Sequence, residues 1–498
     1  MAVKRQVLFI IGFFCSLFSF SQNVIVNRVE GIEDTMSFYG CIPFAEQGML
    51  LKAYYPEKNT SRKIDVFTYE KFDTALQKKT SLDVSIPAKK SAYLDYTSST
   101  HQYNLAYQTT GTYSVSIVSV ADMKTWTIQG KFPKNTTIHS MRAIGEYVYL
   151  LGYTKDLPIL VCQNITTNDV TFGKIIPLTK RKFSIVSFEV NDATEELYLF
   201  TKDEVKNDKL VKMYVYKSGV KTFERMLVSP DADKYIVSAF ASRLHDNSFL
   251  ISGTYGTSSK NSDVSVGIFI SKMSPEGETM FTKFINYLDI QNFTSYLSAR
   301  KQEKIEKKQE RKQSQNKELE LNYLMVPHNI IEQDGNFVLV GEAYYPTFRQ
   351  ECQYMMGPNG QTMYCYPVFD GYQYTHFFLL NFNEQGEPLW SNAAPMEIEN
   401  KPFYVKRFLS INSKPDTVIQ LGYSTWKDIF LYNFKDGENV GEEKISFVND
   451  DEKLIHSSTQ TRHWYGDVFL SYGIQKIKNK DKERREVYFI EKLQIPIK

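Results

Sequence analysis

Short apolar and aromatic runs recur along the chain between turn residues, and eight of them share one form. They read Met49-Leu50-Leu51-Lys52-Ala53, Tyr103-Asn104-Leu105-Ala106, Val148-Tyr149-Leu150-Leu151-Gly152, Leu197-Tyr198-Leu199-Phe200, Phe249-Leu250-Ile251-Ser252-Gly253, Phe337-Val338-Leu339-Val340-Gly341, Val418-Ile419-Gln420-Leu421-Gly422 and Phe469-Leu470-Ser471-Tyr472-Gly473. Each is too short for a helix and most are rich in β-branched or aromatic residues, which predicts strands. Around each lies one plan: an inner strand before it, then a third strand, a turn and a fourth.

The last residues of the eight runs fall 46 to 53 positions apart, except for intervals of 88 before Gly341 and 81 before Gly422. Both long intervals have a visible cause. A highly charged stretch lies between Tyr287 and Leu321, and a loop-like one between Pro346 and His376. A near-constant period of four short strands is what radially stacked blades require, so the expected fold is all-β, an eight-bladed β-propeller. The last copy holds only an inner strand at Leu454–Arg462, a second at Asp467–Gly473 and a third at Glu486–Ile495. Val24–Val29, ahead of the first inner strand near Ser37–Phe44, is free to supply the fourth and close the ring. The alternatives are seven blades with one degenerate copy, or two packed β-domains.

Turns between third and fourth strands repeat as Met273-Ser274-Pro275-Glu276-Gly277-Glu278, Phe382-Asn383-Glu384-Gln385-Gly386-Glu387 and Phe434-Lys435-Asp436-Gly437-Glu438, and Trp126 and Trp390 follow such turns. In this the chain resembles the broad superfamily of exported β-propeller repeat proteins, whose blades end in a Gly turn followed by an aromatic residue. The resemblance spans nearly the whole chain after the leader and implies architecture, not activity. The second-strand runs of the first, second and fourth copies end without Gly. Propeller sialidases carry repeated Ser-x-Asp-x-Gly-x-Thr-Trp turns; the nearest stretch here, Ser119 to Trp126, has Asp122 displaced and Lys124 in place of Gly, and it occurs once.

Lys4 and Arg5 precede an apolar run from Val7 to Phe20 that ends at Ser19-Phe20-Ser21. This is the layout of a signal peptide over residues 1–21, since an apolar run of about 14 residues is shorter than the roughly 20 a spanning helix needs. Residues 22–498 are then expected to form a single propeller domain with two excursions, a charged helical insertion at about 288–320 and a Cys-bridged aromatic loop at about 347–376. Export places the protein in the periplasm or at the surface of a Gram-negative cell envelope, with no transmembrane segment. The 59 basic and 57 acidic residues leave a net charge of +2, which implies no nucleic-acid partner.

The second excursion carries the most chemistry. Gly357-Pro358-Asn359-Gly360 suits a tight turn, and pairing outward from it sets Cys352 opposite Cys365 at a non-hydrogen-bonded site, within disulfide reach. An oxidising compartment lets the bond form. Around it stand Phe348, Arg349, Tyr354, Tyr364, Tyr366, Phe369, Tyr372 and Tyr374, the residue types enriched where proteins meet partners, and these form the candidate partner surface. Arg300 to Glu320 holds eight basic and five acidic residues and reads as an exposed helix, with Glu303 and Lys307 paired at i,i+4. Strand alternation brings both excursions to one face of the sixth blade.

His139, His328 and His456 belong to three different copies and form no ligand pair, so neither a metal nor a cofactor is expected. Cys41 and Cys162 read as buried free thiols. The chain has no Gly-x-Ser-x-Gly, phosphate loop or His-Glu-x-x-His; catalytic residues are unknown, and dispersed carboxylates across a channel would leave no linear motif. The expected function is a non-catalytic protein-binding or scaffold component of the cell envelope, engaging another envelope protein. The alternative is a carbohydrate-binding or carbohydrate-active propeller, with a glycan as ligand.

Overall fold

The computed structural model describes residues 25–494 except 33–36, 89–90, 174, 180–181, 206–207, 258–262, 358–359, 402–403, 414–417, 448–452 and 479–483. The leader at 1–21, Val24 and the Pro358-Asn359 turn lie outside the described residues. The chain is all-β, arranged as eight antiparallel sheets; seven are four-stranded and the sixth has five strands. Each of the eight apolar runs is the second strand of its sheet, from Met49–Tyr54 in the first to Val468–Lys478 in the eighth.

Packing explains why those runs are unbroken rather than alternating. Phe249–Gly256 and Val418–Ser424 are buried at every position, because a second strand is covered on both faces. Outer strands face solvent on one side and alternate, as Glu438–Ser446 does. Eight apolar cores result; seven are each shared by two sheets consecutive in the chain, and one by the eighth sheet and the first. One core joins Leu50 and Tyr69 of the first sheet to Ala106 and Val118 of the second. Another joins Ile429 and Leu431 of the seventh to Phe469 and Phe489 of the eighth. The last joins Leu470 and Ile490 of the eighth to Leu51 and Ala53 of the first.

Ile25–Ile32 pairs antiparallel with Arg484–Gln494, from Ile25 opposite Leu493 to Ile32 opposite Val487, with one register shift between Ile25 and Asn27. The eighth sheet is thus built from both ends of the described chain, ordered Ile25–Ile32, Arg484–Gln494, Val468–Lys478, Lys453–Tyr465.

Inner strands carry a recurring device that spacing alone does not reveal. Five have a one-residue bulge against the second strand, at Tyr39, His139, Val186, Val237 and Ile455. Several glycines in second strands answer a related crowding: a Cβ on Gly253 would lie 2.0 Å from Ser238 O, and one on Gly473 2.0 Å from Ser458 O. These glycines make room for a neighbouring backbone, which is why a small residue so often closes the run.

Three expectations need correction. The excursion at Pro346–His376 is not a loop, because the second and third strands of the sixth sheet simply continue, as Asn336–Gly357 and Gly360–Phe382, paired out to Gly357 opposite Gly360. The inner strand ahead of the sixth apolar run is not one strand but two, Leu324–Pro327 and Ile331–Gln333, because His328 turns aside to Glu342. The charged helix covers Ala299–Gln313 only; Asn316, at φ 52°, takes a left-handed conformation that ends it.

Candidate docking surface

The sixth sheet projects a two-stranded hairpin past its last neighbours. The strand Leu324–Pro327 accompanies it up to Tyr344, and Pro388–Asn400 up to Tyr372; beyond these the two strands pair only with each other. Cys352 and Cys365 are disulfide-bonded with Cα atoms 4.0 Å apart, at the register position expected from the turn.

Alternation gives the hairpin two unlike faces. One carries a chain of aromatic contacts from core toward tip: Tyr374 to Tyr344 at 5.6 Å, Tyr344 to Tyr372 at 5.5 Å, Tyr372 to Phe369 at 5.1 Å and Phe369 to Phe348 at 6.1 Å. The other carries Arg349, paired with Glu351 at 2.6 Å, and the stacked rings of Tyr364 and Tyr366, with Gln353 donating to the Tyr366 hydroxyl at 3.0 Å. Phe348, Tyr354, Met355, Met363 and Tyr364 are each more than half exposed, and no charged residue occurs from Cys352 to Phe369.

Not every predicted surface residue is on the surface. Phe348, Arg349, Tyr354 and Tyr364 are exposed; Tyr366, Phe369 and Tyr372 are half-buried. Tyr374 is fully buried, which removes it from the partner surface. Its hydroxyl accepts from Lys406 N at 3.1 Å and donates to Lys406 O at 2.7 Å, clamping the segment that enters the seventh sheet. Glu342, also fully buried, completes the clamp by accepting from Phe408 N and Leu409 N, both at 3.0 Å, and from His328 Nε2 at 2.7 Å. Arg407, next to this clamp, reaches Glu189 of the fourth sheet at 3.3 Å, and Glu189 also pairs with Arg142 of the third at 3.1 Å.

The charged insertion stands beside the hairpin base. Its first part is an aromatic plug that the composition concealed: Tyr287 and Phe293 are buried, and Tyr296 stacks on His376 at 4.2 Å. The helix Ala299–Gln313 has no buried residue and carries the expected Lys307–Glu303 pair at 2.5 Å. The chain then returns through buried Leu319, whose carbonyl accepts from Asn286 Nδ2 at 3.0 Å. Tyr296, Ser298 and Lys301 of the insertion and Tyr344, Tyr345 and Thr375 of the hairpin base line one cavity of about 700 Å³. The two excursions therefore share one face at their roots.

The remaining candidates are structural. Among the described residues no group of three or more His, Cys, Asp or Glu is placed to hold a metal. Cys41 and Cys162 are buried free thiols; burial pushes the Cys162 thiol up to about 12 and raises that of Cys41 well above its usual range. No described helix is long and apolar enough to cross a membrane.

No protein-family model matches the chain, and no curated protein matches it. Solved structures resemble it distantly. The WD40 domain of SCAP from fission yeast aligns with a TM-score of 0.41 at 8% identity, over 93% of this chain and 98% of that one. The dihydro-heme d1 dehydrogenase NirN aligns at 0.38 and 10% identity, over 94% and 79%. A prolyl endopeptidase aligns at 0.39 and 8% identity, over 90% of this chain and 55% of that one. At these values the likenesses carry no argument about activity.

Proposed function

We propose that the eight sheets are the blades of one closed ring, sealed by the pairing of Ile25–Ile32 with Arg484–Gln494. On this reading the ring is a non-catalytic scaffold of the cell envelope that docks another protein through the hairpin and insertion of its sixth blade. Closure is supported by the eight shared cores, the eighth of which links the last sheet to the first. It is also supported by the Arg407–Glu189 pair, which joins the entry to the seventh sheet with the fourth. Export from the cytoplasm rests on the leader sequence.

The observation that carries the docking reading is the hairpin: a disulfide-pinned ladder, uncharged from Cys352 to Phe369, that exposes Tyr354, Met355, Met363 and Tyr364 beyond the shared cores. Exposed apolar and aromatic side chains grouped in this way mark contact surfaces. A photo-crosslinking residue at Tyr354 or Tyr364, activated in the native envelope, is expected to give one stoichiometric protein adduct. The same residue at Val220, an exposed position of the fourth sheet, is expected to give none. No adduct at either tyrosine, or equal adducts at Val220, would overturn the reading.

A further inference from the structure

A second recessed surface lies apart from the hairpin tip, on the outer edge of the assembly between the sixth and seventh sheets. The cleft is about 780 Å³ and is bounded by Pro388–Asn400 of the sixth sheet, by Asp428–Lys435 and Glu438–Ser446 of the seventh, and by Asn292 and Ser295 of the insertion. Asn392 ties the three together, accepting from Asn292 Nδ2 at 3.0 Å and donating to Gly437 O at 2.6 Å. The cleft is therefore framed by hydrogen bonds rather than left by loose packing.

Its floor is a row of four near-parallel rings. Phe430 stacks on Tyr423 at 5.0 Å, Tyr423 on Tyr432 at 6.3 Å and Tyr432 on Phe434 at 6.2 Å. At the rim Trp426 is half exposed. The two aromatic faces at the open end are already seats for cations: Lys427 Nζ lies 4.3 Å from the Trp426 ring centre, and Lys444 Nζ 5.5 Å from that of Phe430. Such contacts strengthen as the cation is desolvated.

The lining holds five carboxylates, Glu397, Glu399, Asp428, Glu438 and Glu442, against two lysines, Lys427 and Lys444. Asp428 is paired with Lys444 at 3.1 Å and Glu399 with Lys401 at 3.2 Å. Among the described residues Glu397, Glu438 and Glu442 have no lysine or arginine partner. The tyrosine hydroxyls register this excess of negative charge. Burial, then Glu442, pushes Tyr432 up to about 12, and burial, with Tyr432, Glu442 and Glu397 following, raises Tyr423. For a chain whose net charge is +2, a recess whose five carboxylates face only Lys427, Lys444 and Lys401 is a local inversion of charge.

The geometry points to this cleft as a binding site for a cationic peptide segment, with lysine or arginine side chains reaching Glu397 and Glu442 and competing with Lys427 for the face of Trp426. The volume falls within the range of ordinary ligand clefts. Two outer strands run along its walls, which suits an extended chain. The site is independent of the docking role given to the hairpin.

Tetralysine amide is the probe, titrated calorimetrically into the full chain at low salt. Wild type is expected to bind it, more weakly as salt rises, and not to bind tetraglutamate. Glu397→Gln combined with Glu442→Gln is expected to weaken binding by about tenfold or more. Lys427→Gln removes the resident cation and is expected to tighten it, a gain that misfolding cannot imitate. Tyr354→Ser with Tyr364→Ser is expected to leave tetralysine binding unchanged, so the hairpin reading stands or falls separately. Absence of binding by wild type, or equal binding by the double glutamine variant, would overturn the proposal. So would binding of maltohexaose or cellohexaose that is lost in Trp426→Ala but retained in the glutamine variant, since the cleft would then be a glycan site.

Discussion

At the residue scale His376 is held in an unfavourable setting. It is fully buried, walled by Tyr296, Phe293 and Tyr323, with Nδ1 bonded to the Thr375 hydroxyl at 2.9 Å and Nε2 without a partner. Burial pushes its pKa down from 6.5 to about 3. A base whose folded pKa is depressed takes up its proton first in the unfolded chain. Its contribution is therefore complete above about 6.5 and is lost as pH falls from 6.5 toward 3, at up to roughly 1.4 kcal/mol per pH unit. His376→Phe keeps a ring in the same aromatic box and removes both the orphan nitrogen and the titration. Urea melts should find the variant at least as stable as wild type at pH 7 and more stable at pH 4.5. If the two lose stability in parallel on acidification, His376 is not the cause. Tyr374 teaches the complementary lesson. As a tyrosine in an aromatic-rich stretch it reads as surface, but its place in the hairpin register turns it into the core, against a segment 32 residues later. Nothing in its neighbourhood in sequence announces Lys406.

At the scale of elements, legibility followed how local the cause was. The second strands could be read because double-sided burial writes a continuous apolar run, and the Cys352–Cys365 register because the pairing of Gly357 with Gly360 sets every pair out to Phe348 opposite Phe369. The split at His328 could not, since it depends on Glu342 holding the backbone of Phe408 and Leu409. The insertion was only half legible: its charge marked the helix, while the Tyr287, Phe293 and Tyr296 plug has no periodicity to betray it. The hairpin offers the sharper test. Free-thiol labelling of the denatured, unreduced protein should reach Cys41 and Cys162 and spare Cys352 and Cys365. Closing a loop of about 14 residues contributes about 3 kcal/mol in the chain-entropy model. The hairpin lies beyond the sheet's shared cores, so that contribution is local. Cys352→Ser with Cys365→Ser should speed amide exchange between residues 346 and 371 and leave the melting temperature of the eight sheets nearly unchanged. A large fall in melting temperature would mean that the hairpin is part of the cooperative fold rather than an appendage.

At the scale of the whole molecule, each sheet covers its neighbour, so stability depends on whether the series of sheets has ends. An open series would expose the outer face of the first sheet and of the eighth, whereas here Leu51 and Ala53 of one pack with Leu470 and Ile490 of the other. On the proposed ring reading, the strand Ile25–Ile32 is the piece that joins them. It supplies the outer ladder of the eighth sheet, Asn27 donates to Ala75 O of the first at 3.0 Å, and Arg28 pairs with Glu491, donates to Gln475 at 2.9 Å and lies 4.9 Å from the Phe489 ring centre. Glu491 is almost fully buried, and burial raises its pKa despite Arg28. Removing the strand thus has two effects that add: an uncovered apolar edge along Arg484–Gln494, free to pair with another molecule, and a buried carboxylate stripped of its cation. Arg28→Met separates them by keeping the ladder and losing only the charge. Breaking a buried pair in this way costs about 3–5 kcal/mol, which should lower the melting temperature while the protein stays monomeric. Deleting residues 22–32 should lower it further and add concentration-dependent aggregation, seen by light scattering. A deletion variant that remains monomeric and melts with wild type would mean that the sheets close without this strand, and its sealing role would have to be abandoned.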